Sequence, residues 1–76
     1  MKIITISHKM DGDLDDDYTL YENGDVLHEY DRHRYPGGFN LKETLKASGL
    51  RDHIKQRLLD ETSDENKDVA KKLLGL

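Results

Sequence analysis

The chain has 76 residues with 12 Lys and Arg against 16 Asp and Glu, a formal net charge of −4, one proline and no cysteine. Its length fits one small domain spanning residues 1–76, and the missing cysteines exclude disulfide staples, thiolate zinc sites and cysteine nucleophiles. Charge is segregated: residues 11–31 hold nine acids and neither Lys nor Arg, whereas residues 32–57 hold seven bases and two acids. Such asymmetry reflects either pairing of one half with the other or a charged partner.

Residues 2–8 alternate around Ile4 and Ile6 with Thr5 and Ser7 between them, which predicts a strand with both isoleucines on its buried side. The segment is too short and polar for a signal-peptide core, and no apolar run approaches the roughly 20 residues that span a bilayer. A cytoplasmic protein without membrane contact is therefore expected.

The run Asp11-Gly12-Asp13-Leu14-Asp15-Asp16-Asp17 reads as a solvated loop, because aspartate is a poor strand and helix former. Its spacing approaches that of a calcium loop, with carboxylates at Asp11, Asp13, Asp15 and Glu22. Asp16 stands where such a loop needs glycine, and both flanks read as strands rather than helices. Asp11, Asp13 and Asp15 remain candidate ligands of a looser divalent-ion site; no cofactor is otherwise implied. Asp13, Asp15, Asp16 and Asp17 are also candidates for steering a basic partner.

Residues 18–22 and 25–30 flank Asn23-Gly24, a strong hairpin signal. A two-residue turn pairs Glu22 with Asp25, Tyr21 with Val26, Leu20 with Leu27, Thr19 with His28, and Tyr18 with Glu29. Tyr18, Leu20 and Leu27 then join Ile4 and Ile6 in the core. Thr19, Tyr21, Val26, His28 and Tyr30 face outward. Because tyrosine is a frequent hot-spot residue, Tyr21, Val26, His28 and Tyr30 are the candidate partner-binding face, for another protein or a second copy.

Tyr35-Pro36-Gly37-Gly38 predicts a turn. Asn40 with Glu43 resembles a capping box for a helix over 41–48, ended by Gly49. Leu50, Ile54, Leu58 and Leu59 give the stripe of a second helix over 50–60. Thr62 with Glu65 opens a third over 64–74, burying Val69, Ala70, Leu73 and Leu74 and closed by Gly75. The helix–Gly–helix order makes Arg51, Lys55 and Arg57 candidates for nucleic-acid contact. Arg32, His33 and Arg34 add to this basic stretch.

No serine or threonine has a base placed beside it by sequence, so a non-enzymatic module is expected. The expected fold is α+β in the order β-β-β-α-α-α. A three-stranded sheet (2–8, 18–22, 25–30) would be covered on one face by three short helices.

Overall fold

A computed structural model describes residues 2–12, 14–31 and 41–76. It is an α+β fold with strands β1 (Ile3–Ser7), β2 (Met10–Asp11), β3 (Leu14–Tyr21), β4 (Asp25–Tyr30) and β5 (Leu41–Lys46), then helices α1 (Asp52–Glu61) and α2 (Lys67–Leu74). The main sheet is antiparallel in the order β1-β3-β4-β5, and the two-residue β2 pairs with the start of β3.

The sheet thus has four main strands and two helices pack on it, rather than three strands under three helices. The segment expected as the first helix is β5, followed by a single 3₁₀ turn at Ala47–Gly49. Leu41 and Leu45 stand four apart, which suits a helix, but Leu41, Glu43 and Leu45 also alternate as in a strand. The open edge of β4 decides between the two. Leu45 pairs with Val26, Glu43 with His28 and Leu41 with Tyr30, completing the sheet. The proposed cap Asn40 and the Pro36-Gly37 turn lie outside the described residues.

The acidic run is likewise mostly strand. Asp11 pairs with Leu14 across a tight turn in which Gly12 has φ +66°, a conformation that favours glycine. Asp15, Asp16 and Asp17 continue β3, so their side chains alternate between the two faces of the sheet.

The hairpin forms where Asn23-Gly24 predicts it, but in a register one residue away. Leu20 pairs with Val26, Thr19 with Leu27 and Tyr18 with His28. The loop is Glu22-Asn23-Gly24. A Gly24 N–H to Tyr21 carbonyl bond of 3.0 Å closes it, and Gly24 sits at φ +88°. This is a turn followed by a left-handed residue, the usual three-residue hairpin connection. Asn23 secures it, accepting from the Asp25 N–H at 3.0 Å and donating to the Asp25 carboxylate at 2.9 Å.

A one-residue shift exchanges the faces of one strand against the other. Val26, expected outside, is therefore fully buried with Leu20, Leu58, Ala70 and Leu74. Leu27, expected inside, lies on the opposite face with Thr19 and Thr44. A bulge in β1 moves a second residue. Ile3 pairs with Tyr21 but Thr5 with Leu20, leaving Ile4 unpaired between them. Ile4, Thr5 and Ser7 then point into the core side, and Ile6 is left 53% exposed.

α1 buries Ile54 and Leu58, and α2 buries Ala70 and Leu74. Both lie against the Leu20–Val26 side of the sheet, with Ile4, Tyr18 and Ala47 completing the core. Val69, assigned by its spacing to the buried stripe, is exposed, whereas Gly75 closes α2 in the left-handed conformation as expected. No helix among the described residues is long and apolar enough to cross a membrane.

Candidate functional site

The two faces of the sheet carry different chemistry. On the helix side, β3, β4 and β5 bring Asp16, His28 and Glu43 together beyond the apolar core. His28 Nε2 lies 2.6 Å from Asp16 Oδ1, and its Nδ1 lies 2.8 Å from Glu43 Oε1. The imidazole is stacked between Tyr18, at 4.2 Å between centroids, and Tyr30, at 4.3 Å. Only 12% of the His28 side chain is exposed.

Arg57 reaches this cluster from α1. Its Nη1 donates to Asp16 Oδ2 at 3.0 Å, its Nε to Ser7 Oγ at 2.6 Å, and its Nη2 to the carbonyls of Ser7 at 3.2 Å and Asp16 at 2.5 Å. Its guanidinium carbon also lies 5.0 Å from the centre of the Tyr18 ring. The forked donor geometry of arginine suits such a task, which a point-charge ammonium cannot perform. Arg57, Ser7, Asp16, His28 and Glu43 are linked to one another by these bonds, so the arrangement works as a clamp joining α1 to the four main strands.

Burial pushes the Asp16 carboxyl upward, but hydrogen bonds from His28 and Arg57, and the Arg57 charge, outweigh it and hold the carboxyl below the ordinary aspartate range. A depressed folded-state value means Asp16 stabilises the fold fully above its unfolded value of about 3.9, and that this support is lost as pH falls through the lower folded value. Asp16→Asn is therefore expected to be less stable than wild type at neutral pH, and to lose less further stability on acidification from about pH 5 to 2. Urea unfolding of both proteins across that range is the check; parallel acid limbs would contradict it. Burial, followed by the neighbouring Asp16 charge, pushes the Tyr18 hydroxyl upward, keeping that ring neutral.

Among the described residues, no helix lies on the other face of the sheet. Cross-strand register defines three rows there. The middle row is Ile6, Thr19, Leu27 and Thr44, one residue from each main strand and none of them ionisable. On one side lie Ile3, Tyr21, Asp25 and Lys46, and on the other Asp17, Glu29 and Lys42. Two ion pairs lie within the chain, Lys46 to Asp25 at 2.7 Å and Lys42 to Glu29 at 3.9 Å, and His8 Nδ1 lies 2.5 Å from Asp17 Oδ1. Hydrogen bonds from Lys46 and Asn23 hold the Asp25 carboxyl below its ordinary range.

The candidate partner face is thus divided by the sheet. Tyr21 lies on the uncovered side. Val26 is core, and His28 and Tyr30 belong to the stack on the helix side. Of the candidate steering residues, Asp16 is held by Arg57 and His28 and Asp17 meets His8, while the Asp15 N–H donates to Asp31 at 3.1 Å. Asp13 and the Asp11 side chain lie outside the described residues, as do Arg32, His33 and Arg34. Among the described residues no group of three or more His, Cys, Asp or Glu side chains is arranged to hold a metal ion. Of the basic trio, Arg57 is turned inward to the clamp, and Arg51 and Lys55 stay on α1 and its N-terminal flank.

Ile6 and Leu27 on the uncovered face, and Ser7 beneath Arg57, are the residues that strand periodicity alone misplaces or passes over. A shallow cleft of about 660 Å³ runs between the end of β1 and α1, lined by residues including His8, Lys9, His53 and Asp60. Together these features define a small α+β domain with one polar clamp and one bare sheet face. No protein-family model, curated protein or solved structure matches the chain.

Proposed function

We propose that this protein is a non-enzymatic interaction module that docks a protein through the uncovered face of its sheet. The observation that carries this reading is that both helices pack on one side. Ile6, 53% exposed, and Ile3, 46% exposed, are left on the other beside Tyr21 and Leu27. Large apolar side chains grouped on a sheet face lose water on contact, and tyrosine adds area at low entropic cost. Among the described residues, the remaining exposed large apolar side chains, Met10, Val69 and Leu76, lie on three separate parts of the chain. A cytoplasmic setting accompanies this reading.

The acidic end of the hairpin has a smaller part in it than its composition suggests, because Asp16 and Asp17 are engaged within the chain. Apolar contact at the middle row supplies the affinity, and charge contributes to orientation.

The test immobilises wild type, Ile6→Ser/Leu27→Ser and Val69→Ser and compares the polypeptides each retains. The expected result is a polypeptide, the chain itself included, held by wild type and Val69→Ser but lost from the double variant. If nothing retained depends on Ile6 and Leu27, the reading is discarded.

A further inference from the structure

We propose that Asn23 is a site of spontaneous deamidation, and that opening of the hairpin turn around it sets the rate. This does not depend on what covers the sheet. Asn23 is exposed and is followed by Gly24. Glycine carries no side chain to screen its main-chain nitrogen, so the Gly24 nitrogen is an unhindered nucleophile beside the Asn23 carboxamide. Attack of that nitrogen on Asn23 Cγ forms a C–N bond and closes a succinimide ring. The Cγ–Nδ2 bond breaks, and Nδ2 leaves as ammonia with the proton that the Gly24 nitrogen releases. Water then opens the ring at either carbonyl. One opening gives aspartate. The other gives isoaspartate, in which the main chain runs through Cβ and Cγ.

In the closed turn the reacting groups are engaged elsewhere. The Gly24 N–H donates to the Tyr21 carbonyl at 3.0 Å, so the nucleophile has its proton committed within the turn. Asn23 Nδ2 donates to the Asp25 carboxylate at 2.9 Å, and Asn23 Oδ1 accepts from the Asp25 N–H at 3.0 Å. Residue 25 thus orients both ends of the carboxamide, which is not free to rotate onto the Gly24 nitrogen. The bond to Oδ1 taken alone polarises the carbonyl and favours attack, but that gain is idle while the Gly24 proton stays on the Tyr21 carbonyl. Gly24 is tied on its other side as well, its carbonyl accepting from the Ala47 N–H at 2.9 Å. The turn must open before the ring can close. The folded-state rate is therefore the open-turn rate multiplied by the open fraction.

The modification changes the turn in charge and in length. Either product places a carboxylate where Nδ2 donated to Asp25, and it adds a negative charge to a chain of net charge −4. That carboxylate stands between Glu22 and Asp25 in the sequence, where like charges repel. Asp25 then keeps the Lys46 ammonium, at 2.7 Å, as its side-chain donor. Isoaspartate also lengthens the main chain inside the loop Glu22-Asn23-Gly24, whose length fixes the register of β4 against β3.

The test incubates the full chain at mildly alkaline pH, folded in buffer and unfolded in concentrated guanidinium chloride. Isoelectric focusing follows the added charge, and mass-spectrometric peptide mapping assigns it to a residue and separates aspartate from isoaspartate. Asn40 and Asn66 precede Leu41 and Lys67 and serve as internal comparison. In the unfolded chain Asn23 is expected to convert ahead of both. In the folded chain it is expected to convert at least about tenfold more slowly than in the unfolded one. Asp25→Ala, which removes the carboxylate that holds Nδ2, is expected to raise the folded rate about fivefold, the factor of one ordinary hydrogen bond, and to leave the unfolded rate unchanged. Arg57→Ala, which breaks the clamp and not the turn, is expected to convert at the wild-type rate while folded. An unfolded chain in which Asn23 reacts no faster than Asn40 and Asn66 overturns the site. Equal rates in folded and unfolded wild type, or a folded Asp25→Ala that reacts as wild type does, overturn control by the turn. Acceleration in Arg57→Ala equal to that in Asp25→Ala does the same, by assigning the opening to the whole fold.

Discussion

Arg57→Ala is expected to destabilise the fold by about 2–4 kcal/mol, the range for breaking a partly buried, multiply hydrogen-bonded ion pair. A 76-residue domain has roughly 4–11 kcal/mol in total at the usual per-residue stability, so the loss would be a large fraction of it. The reason is the number of acceptors that share one guanidinium. Ser7 Oγ, two main-chain carbonyls and the Asp16 carboxylate all receive its N–H groups, and the Arg57 side chain is only 18% exposed. Removing the side chain leaves the buried Ser7 hydroxyl without this donor and Asp16 with His28 as its remaining side-chain partner. Arg57→Lys should recover little, because an ammonium cannot span acceptors on both β1 and β3. Urea midpoints of the two variants are the measurement. A change below about 0.5 kcal/mol in Arg57→Ala would place this cluster among ordinary solvated surface pairs.

Arg57 also shows where sequence reasoning stops. α1 was legible because Ile54 and Leu58 repeat at helical spacing, and α2 because Ala70 and Leu74 do and Gly75 closes it. β1 and the hairpin were legible from β-branched residues and Asn23-Gly24. These are local signals. The elements that went astray were decided by partners far along the chain. Three aspartates in a row oppose strand formation by propensity. Asp16 nevertheless sits in β3, because Arg57, 41 positions later, neutralises it there and His28 is hydrogen-bonded to it. Leu41 to Lys46 has a pattern that satisfies both a helix and a strand. The tie is broken by the free edge of β4 and by Glu43 meeting His28, 15 positions away.

The charge map was legible as an asymmetry and ambiguous as to cause. The structure resolves much of it into pairing within the chain: Asp16 with Arg57, Asp25 with Lys46 and Glu29 with Lys42. Each joins an acid from residues 11–31 to a base from residues 32–57. What composition could not supply was the side of the sheet on which each pair falls. That depends on a single turn residue, since a loop of three rather than two moves β4 by one position against β3. The candidate docking face changes its membership with it.

That register has a direct thermodynamic signature. Val26→Ser is expected to cost roughly 3–4 kcal/mol: about 2 for the buried valine surface, and the rest for a hydroxyl left in the core. Val26 is fully buried among Leu20, Leu58 and Leu74, whose apolar side chains offer that hydroxyl no partner. Leu27→Ser, one residue along the same strand, is expected to cost about 1 kcal/mol or less, because its side chain lies on the bare face. A two-residue turn would reverse this order, placing Leu27 in the core and Val26 outside. The ratio of the two effects in urea unfolding therefore reads the hairpin register without any knowledge of a partner. It also governs how a binding experiment is understood. Loss of binding in Val26→Ser would report an unfolding protein, whereas loss in Leu27→Ser or Ile6→Ser would report a lost contact. Equal costs, or a larger cost at Leu27, would dissolve the row of Ile6, Thr19, Leu27 and Thr44 on which the docking proposal stands.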